Sequence, residues 1–195
     1  MSTRLVCFNV NGIRARSAQL KHVLEKHKPD IVGLQEIKVD DEAFPIDEIS
    51  DLGYYASFFG QKGHYGVALL SKEKPLEVKK GFPNDLKGAQ RRFIHGKYAY
   101  KEGDLHILNG YFPQGESRSH PEKFPAKRRF YEDLNSYLNT SFLSSDALIL
   151  MGDMNVALSD EDVGLTEENV KRWLRSGKTS FLPEERLPNW IKPSI

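Results

Sequence analysis

IVGLQE at residues 31–36 and LILMGDMN at residues 148–155 are two short apolar runs that each lead into an acidic residue. The acids are Glu36 and Asp153, and a carboxylate at the end of a buried strand is costly unless it has a partner. If the two carboxylates meet in space, a cation between them relieves their repulsion. The pattern therefore favours a site for a hard divalent metal ion and, with it, phosphate-ester chemistry.

The second run carries more chemistry than the first. Gly152 is expected to let the backbone turn tightly after the apolar strand, and Asp153 and Asn155 are expected to alternate to one side of the extended chain that follows. A carboxylate and an amide two residues apart can together bind a metal-activated water and a phosphoryl oxygen. This spacing favours a hydrolytic site at the end of the strand.

Each of these motifs also has a simpler interpretation. Glu36 can be a solvated strand end, and Asp153 and Asn155 can begin a turn. The segment Asn9-Val10-Asn11-Gly12 fits a turn as well as a site, and Tyr111 can be a buried aromatic residue. Taken one motif at a time, the residues leave these alternatives open.

Size and composition limit the class of protein. The chain has 195 residues, of which 39% are hydrophobic and 28% charged, enough for one substantial core, so a single domain is expected. The net charge is only +1, but residues 86–130 carry ten lysines or arginines against four acids. That stretch is either a cationic face for a polyanion or an ordinary solvated surface.

Cysteine content and hydropathy indicate the compartment. Cys7 is the only cysteine, which excludes an internal disulfide and a thiol-rich zinc site. The first residues lack the apolar segment of a secretion signal, and no later run approaches membrane-spanning length. We therefore expect a soluble, cytoplasmic protein that has no membrane partner. A monomer is a separate expectation.

The order of patterns predicts an α/β fold. A strand at residues 4–10, a helix capped by Ser17 and a strand at residues 31–36 form a β-α-β unit. One face of that helix is expected to carry Leu20, Val23, Leu24 and His27. Two antiparallel strand pairs (54–60 with 67–71, and 92–98 with 105–112), a helix (121–139) and a strand (147–151) follow. Sheets covered by helices in layers are the expected architecture.

Eight segments together resemble the bacterial exonuclease III family. They are FNVNG (8–12), LQE (34–36), GQKGHYGVALLS (60–71), QRR (90–92), NGYFPQGESR (109–118), KFPAK (123–127), MGDMN (151–155) and KRWLRSGKTSFLPEER (171–186). Their number, order and spacing are highly specific. The resemblance implies the endonuclease/exonuclease/phosphatase fold, a four-layer α/β sandwich of two packed mixed sheets flanked by helices.

The resemblance also implies a site and an activity. Glu36 would be the principal Mg²⁺ ligand, with Asn9, Asp153 and Asn155 completing the metal site, and Mn²⁺ could replace Mg²⁺. Asp153 would activate the attacking water, Asn155 would stabilise the charged phosphorus centre, and Tyr111 would donate or share a proton. The implied DNA contacts are Arg92, Gln114 and Lys123. The expected substrate is duplex DNA with 3′ ends, nicks or abasic sites, and the expected activities are those of a 3′→5′ exodeoxyribonuclease and an abasic-site endonuclease.

The resemblance ends at Arg186. Residues 187–195 do not follow the family, whose remaining segment carries a second catalytic aspartate, a Ser-Asp-His ending and strands that complete both sheets. We therefore expect a domain at residues 1–186 that is incomplete at its C-terminus, a divergent tail at 187–195 and impaired activity. The alternatives are an inactive DNA-binding fragment and an unstable remnant.

Overall fold

The computed structural model describes residues 3–101, 103–157, 162 and 166–175. These divide into two compact units, the first comprising residues 1–111 and 145–153 and the second residues 112–144 and 154–195. The predicted boundary at Arg186 lies outside the described residues. Among those described, none of the helices combines the length and apolar character that crossing a bilayer requires.

The first unit contains two four-stranded sheets. Their strands are β1 (Leu5–Asn9), β2 (Ile31–Gln35), β3 (Tyr55–Phe59), β4 (Val67–Ser71), β5 (Glu77–Lys80), β6 (Phe93–Tyr100), β7 (Gly103–Tyr111) and β8 (Ala147–Asp153). The strand orders are β1-β2-β4-β3 and β5-β6-β7-β8. Each sheet has one parallel pair, β1 with β2 and β7 with β8, and is otherwise antiparallel. Both sheets are therefore mixed, as predicted.

Both units contain helices. The first unit has α1 (Ser17–His27), a 3-10 turn (Asp41–Ala43) and α2 (Ile46–Asp51), and the second unit has α3 (Lys123–Ser141) and α4 (Glu167–Arg175). The β-α-β unit, both antiparallel pairs and the order of helix and strand before Asp153 are as the sequence predicts. The predicted α/β class with two packed mixed sheets and flanking helices is confirmed.

The core of the first unit has two layers. On the outer side of the first sheet, Leu20 and Leu24 of α1 and Ile49 of α2 join a buried cluster that includes Val32 and Leu34. On its inner side, strand residues of the two sheets form a second cluster that includes Ile31, Val67, Leu69, Ile94 and Ile107. All five residues of β2 are buried, which explains why its sequence is a continuous apolar run rather than an alternating one.

A buried amide pair crosses the inner layer. Gln35 donates from Nε2 to Oδ1 of Asn109 over 2.6 Å. Asn109 in turn donates from Nδ2 to the carbonyl oxygens of Leu34 and Ala68, each over 2.9 Å. Both amide side chains are fully buried, and these bonds satisfy them. The pair ties β7 to β2 and β4 one residue before Glu36, so it fixes one sheet relative to the other beside that acid.

One local prediction for α1 is wrong. The helix begins at Ser17 itself, so the N-cap is Arg16 and no side chain bonds to the first turn. Ser17 would have to precede the first helical residue to accept a bond from the free N–H groups. On the face that Leu20 and Leu24 bury, His27 is exposed because it lies in the last turn, next to the left-handed Lys28 that ends the helix.

The predicted geometry after the apolar run of β8 is also wrong. The strand continues through Gly152 to Asp153 instead of turning at Gly152. Asn155 then has a φ of 50°, a left-handed conformation. Because extended backbone ends before Asn155, strand alternation does not relate it to Asp153.

Candidate active site

Four predicted site residues of the first unit lie at the carboxyl ends of its two parallel strand pairs. Asn9 ends β1 and Glu36 directly follows β2, while Tyr111 ends β7 and Asp153 ends β8. Within the second parallel pair Tyr111 and Asp153 are register partners. Parallel strands present their carboxyl ends at the same edge, so each pair delivers two polar side chains to one place.

Asn9 joins the two acids. Its Nδ2 donates to Oε1 of Glu36 and to Oδ2 of Asp153, each over 2.8 Å. Its Oδ1 accepts from the backbone N–H of Asn11 over 3.0 Å, which orients the amide group. The two carboxylates, 117 residues apart in the chain, therefore converge on one amide nitrogen.

Glu36 is held in a charged state. It has a φ of 54°, and its Oε2 pairs with Nζ of Lys38 over 2.8 Å. Burial raises the pKa of Glu36, but hydrogen bonds from Asn9, Lys38 and Tyr111 together outweigh it and leave the pKa below its ordinary value. Glu36 is therefore an ionised oxygen donor at neutral pH.

Tyr111 keeps its phenolic proton. Burial raises its pKa well above the ordinary value, and the hydrogen bond that its hydroxyl donates to Glu36 raises it further. The positive charge of Arg92 acts in the opposite direction but does not cancel these effects. Tyr111 is therefore a hydrogen-bond donor beside the carboxylate of Glu36.

The donor set of the first unit fits a hard divalent cation. Two carboxylates and an amide side chain meet there, and all the ligand atoms that they could offer a cation are oxygens. Within the described part of the chain no group of three or more His, Cys, Asp or Glu residues is placed to hold a metal ion. Mg²⁺ does not need such a cage, because it binds through one or two carboxylates and keeps several waters.

Three other predicted residues lie in the second unit. Asn155 donates from Nδ2 to the carbonyl oxygen of Phe112 over 2.8 Å. Gln114 is exposed in the segment before α3. Lys123 begins α3, and its Nζ pairs with the carboxylate of Glu116. Arg92, the remaining predicted DNA contact, belongs to the first unit and lies between two tyrosine rings.

Sequence reasoning missed the residues that hold Asn155 in the second unit. Lys127 is fully buried and donates from Nζ to the carbonyl oxygen of Asn155 over 3.3 Å. Tyr131 donates from its hydroxyl to the carbonyl oxygen of Met154 over 3.0 Å. These two residues occupy successive turns of one face of α3. The available signal in the sequence was a lysine four residues before a tyrosine in a helical pattern.

Sequence reasoning also missed Lys38 and Tyr65 beside the site of the first unit. Lys38 forms an ion pair with the carboxylate of Glu36, and its Nζ also donates to Oδ1 of Asn11. The signal for Lys38 was its place two residues after the acid, within the same loop.

Gly152 allows Asp153 to lie against β7. Its φ is 149°, and a Cβ atom built there would lie 2.0 Å from the carbonyl oxygen of Gly110. Gly110 is the register partner of Gly152, and the obstructing atom is backbone, so a side chain cannot be accommodated without moving the strand.

We expect Gly152→Ala to lower the free energy of unfolding by about 2 to 4 kcal/mol, since it adds a backbone clash to a strained φ. Urea unfolding measures the loss. Gly63→Ala is the matched control, because Gly63 has a φ of 96° but no atom within 4 Å of its Cβ position. That control should lose about 1 kcal/mol. Equal losses in the two variants would show that the contact with Gly110 is unimportant.

The sequence of the chain is similar to those of known proteins. A model described as the Endonuclease/Exonuclease/phosphatase family matches residues 6–193. Exodeoxyribonuclease III of Haemophilus influenzae is 54% identical over 183 residues, which cover 94% of this chain and 68% of that protein.

Two solved structures are similar to this chain. An AP endonuclease from Archaeoglobus fulgidus has a TM-score of 0.82 and 31% identity, covering 95% of this chain and 67% of that one. A 3′ phosphatase from Neisseria, bound to product DNA hairpin, has a TM-score of 0.72 and 30% identity, covering 82% and 60%. The chain therefore spans between 60% and 68% of the length of these three relatives.

Proposed function

Because this chain belongs to the Endonuclease/Exonuclease/phosphatase family, we propose that it hydrolyses phosphodiester bonds of DNA in DNA repair. The observation that carries the proposal is the convergence of Glu36 and Asp153 on the amide of Asn9. The exodeoxyribonuclease and AP endonuclease relatives support two activities, 3′→5′ exonucleolytic cleavage of duplex DNA and cleavage at abasic sites.

The proposed cofactor is Mg²⁺, which Mn²⁺ could replace. Glu36, Asp153 and Asn9 would hold it, and the resemblance adds Asn155. When bound, the ion supplies charge that polarises the phosphoryl group and favours the departing oxygen. Oxygen donors and the lack of thiolate or imidazole among the proposed ligands favour these hard ions over Zn²⁺.

Three side chains of the site have proposed roles in the reaction. Asp153 accepts the proton of the attacking water as general base. Tyr111 keeps its proton, so its hydroxyl can donate a hydrogen bond to a phosphate oxygen or hold Glu36 in place. Asn155 is proposed to stabilise the charged phosphorus centre through its amide.

The proposed partner is double-stranded DNA with 3′ ends, nicks or abasic sites. Arg92, Gln114 and Lys123 are the proposed contacts, and cationic contacts to the backbone make binding fall with added salt without reading sequence. We also propose that the protein is a monomer in the cytoplasm.

The test uses the purified 195-residue chain with 5′-labelled nicked, recessed and abasic duplexes. With Mg²⁺ we expect shortened or incised products. With excess EDTA we expect no products, because the proposed hydrolysis requires the metal ion. Binding that falls steeply with salt but gives no product with Mg²⁺ or Mn²⁺ would overturn the proposal in favour of a non-catalytic DNA-binding chain.

A further inference from the structure

The rings of Tyr65 and Tyr111 both pack against the guanidinium of Arg92. The guanidinium carbon of Arg92 lies 4.3 Å from the ring centroid of Tyr65 and 4.6 Å from that of Tyr111. The guanidinium also forms hydrogen bonds with both tyrosine side chains. Arg92 is therefore held between two aromatic faces, an arrangement that suits its flat guanidinium and would not suit the compact ammonium of lysine.

Arg92 has further partners in the same unit. Its Nε donates to Oε1 of Gln90 over 2.6 Å, and its Nη1 donates to the carbonyl oxygen of Tyr111 over 3.0 Å. The backbone N–H of Tyr111 donates back to the carbonyl oxygen of Arg92 over 2.7 Å. Most of the N–H groups of Arg92 are thus directed at the protein, and two of these bonds involve Tyr111.

The loop that carries Tyr65 is tied to the loop of Glu36. Lys38 donates from its backbone N–H to the carbonyl oxygen of Tyr65 over 2.9 Å, and Ile37 donates to Gly66 over 3.1 Å. Gly66 in turn donates to the carbonyl oxygen of Arg91 over 3.0 Å. Tyr65 therefore has a fixed position relative both to the acid and to the strand that begins after Arg92.

We propose that Tyr65 is a positioning residue, which acts through Arg92 to hold the hydroxyl of Tyr111 on Glu36. The role rests on the proposed function insofar as it concerns turnover, but the positioning itself does not. The effect of Tyr65 on the position of Tyr111 is transmitted by the guanidinium of Arg92, which contacts both rings.

The physical reason is the freedom of the Tyr111 side chain. Tyr111 ends β7 and is only partly buried, so its ring packs against the inner core cluster without being enclosed by it. The face of Arg92 closes one side of the ring, and Tyr65 prevents Arg92 from moving away. Without Tyr65 the guanidinium gains rotamers, and the phenol loses the surface that directs its hydroxyl to Glu36.

The first measurement is spectroscopic and needs neither metal nor DNA. In ¹⁵N-labelled protein the Nε–H signal of Arg92, assigned by its loss in Arg92→Lys, should carry an upfield ring-current shift from both tyrosines. Tyr65→Leu should remove much of that shift and also move the ring signals of Tyr111, assigned with Tyr111→Phe. Tyr65→Phe keeps the stacking ring and should retain most of the shift. Tyr55→Leu, at an exposed tyrosine of β3, is the matched control and should leave both signals in place.

The second measurement is kinetic. On nicked duplex with Mg²⁺, Tyr65→Leu should lower kcat about 10- to 100-fold with little change in KM, since a misdirected group costs rate rather than binding. Tyr65→Phe should recover most of kcat, and Tyr55→Leu should match the wild type. A raised KM at constant kcat would instead make Tyr65 a DNA-binding residue rather than a positioning residue and would overturn the proposal.

The two measurements separate this proposal from the proposed function. If the wild-type chain does not cleave DNA, the proposed function fails while the spectroscopic result still decides whether Tyr65 positions Tyr111. If Tyr65→Leu leaves the signals of Arg92 and Tyr111 unmoved, positioning is overturned whatever the activity. A general loss of stability without these specific changes would assign Tyr65 a packing role only.

Discussion

Asp153→Asn is expected to lower kcat for DNA cleavage by about 10²- to 10⁴-fold, because the proposed general base is lost. The amide oxygen of the new side chain can still accept the hydrogen bond from Asn9, so the local geometry should survive. Single-turnover cleavage of a nicked duplex measures the effect. Circular dichroism and urea unfolding establish that the variant is folded.

Glu36→Gln is the partner variant. It removes the charge that pairs with Lys38 and the carboxylate proposed to hold Mg²⁺, so we expect a loss of similar size together with a higher Mg²⁺ requirement. Because both acids serve one site, the double variant should lose far less than the product of the two single effects.

Matched controls are available on exposed parts of the first unit. Asp47→Asn in α2 and Glu25→Gln in α1 make the same chemical changes at exposed acids and should leave kcat within about 2-fold of the wild type, as for ordinary surface substitutions. Wild-type turnover by Asp153→Asn would contradict its assignment as general base. Retention of activity by Glu36→Gln at limiting Mg²⁺ would likewise contradict its assignment as a metal ligand.

Asn109→Leu is expected to lower the free energy of unfolding by about 2 to 4 kcal/mol. The substitution leaves Nε2 of Gln35 without one of its acceptors and takes a donor from the carbonyl oxygens of Leu34 and Ala68. Each buried polar group that loses its partner costs about 1 to 3 kcal/mol, and the leucine side chain cannot compensate for this loss.

The measurement is urea unfolding with the slope compared between variants. The midpoint should fall while the slope stays constant, since the surface exposed on unfolding hardly changes. Asn169→Leu, at an exposed position of α4, is the control and should change the free energy by less than about 0.5 kcal/mol. An Asn109→Leu variant as stable as this control would show that the inter-sheet amide pair contributes little.

Much of the fold could be predicted from local patterns. The apolar run of β2, the helix that follows β1 and the antiparallel pair of β3 and β4 each have a periodicity that the sequence displays directly. The short, polar β5 and the helix α2 were not predicted. Their residues are mostly charged or exposed, so neither period stands out from a loop.

The candidate site was partly predictable for a related reason. Asn9, Glu36, Tyr111 and Asp153 each stand at the end of an apolar run, where a strand leaves the core, and the resemblance to exonuclease III adds Asn155, Arg92, Gln114 and Lys123. Lys38 and Tyr65 were missed because no local pattern separates an active-site lysine or tyrosine from a solvated loop residue. Gln35 and Asn109 were missed because each is a polar residue in an otherwise apolar strand, and its hydrogen-bond partner is distant in the sequence.

The sequence by itself determined which segments form strands and helices, the carboxylates that end two of the strands, and the family. These follow from short-range periodicity and from motifs whose residues are adjacent in the chain. Only the tertiary structure decided that the amide of Asn9 donates to both Glu36 and Asp153. It also decided that the guanidinium of Arg92 lies over the rings of both Tyr65 and Tyr111. Those contacts depend on which strand ends are brought together when two sheets pack, a non-local choice made by burial of apolar faces and satisfaction of buried amides rather than by any single segment.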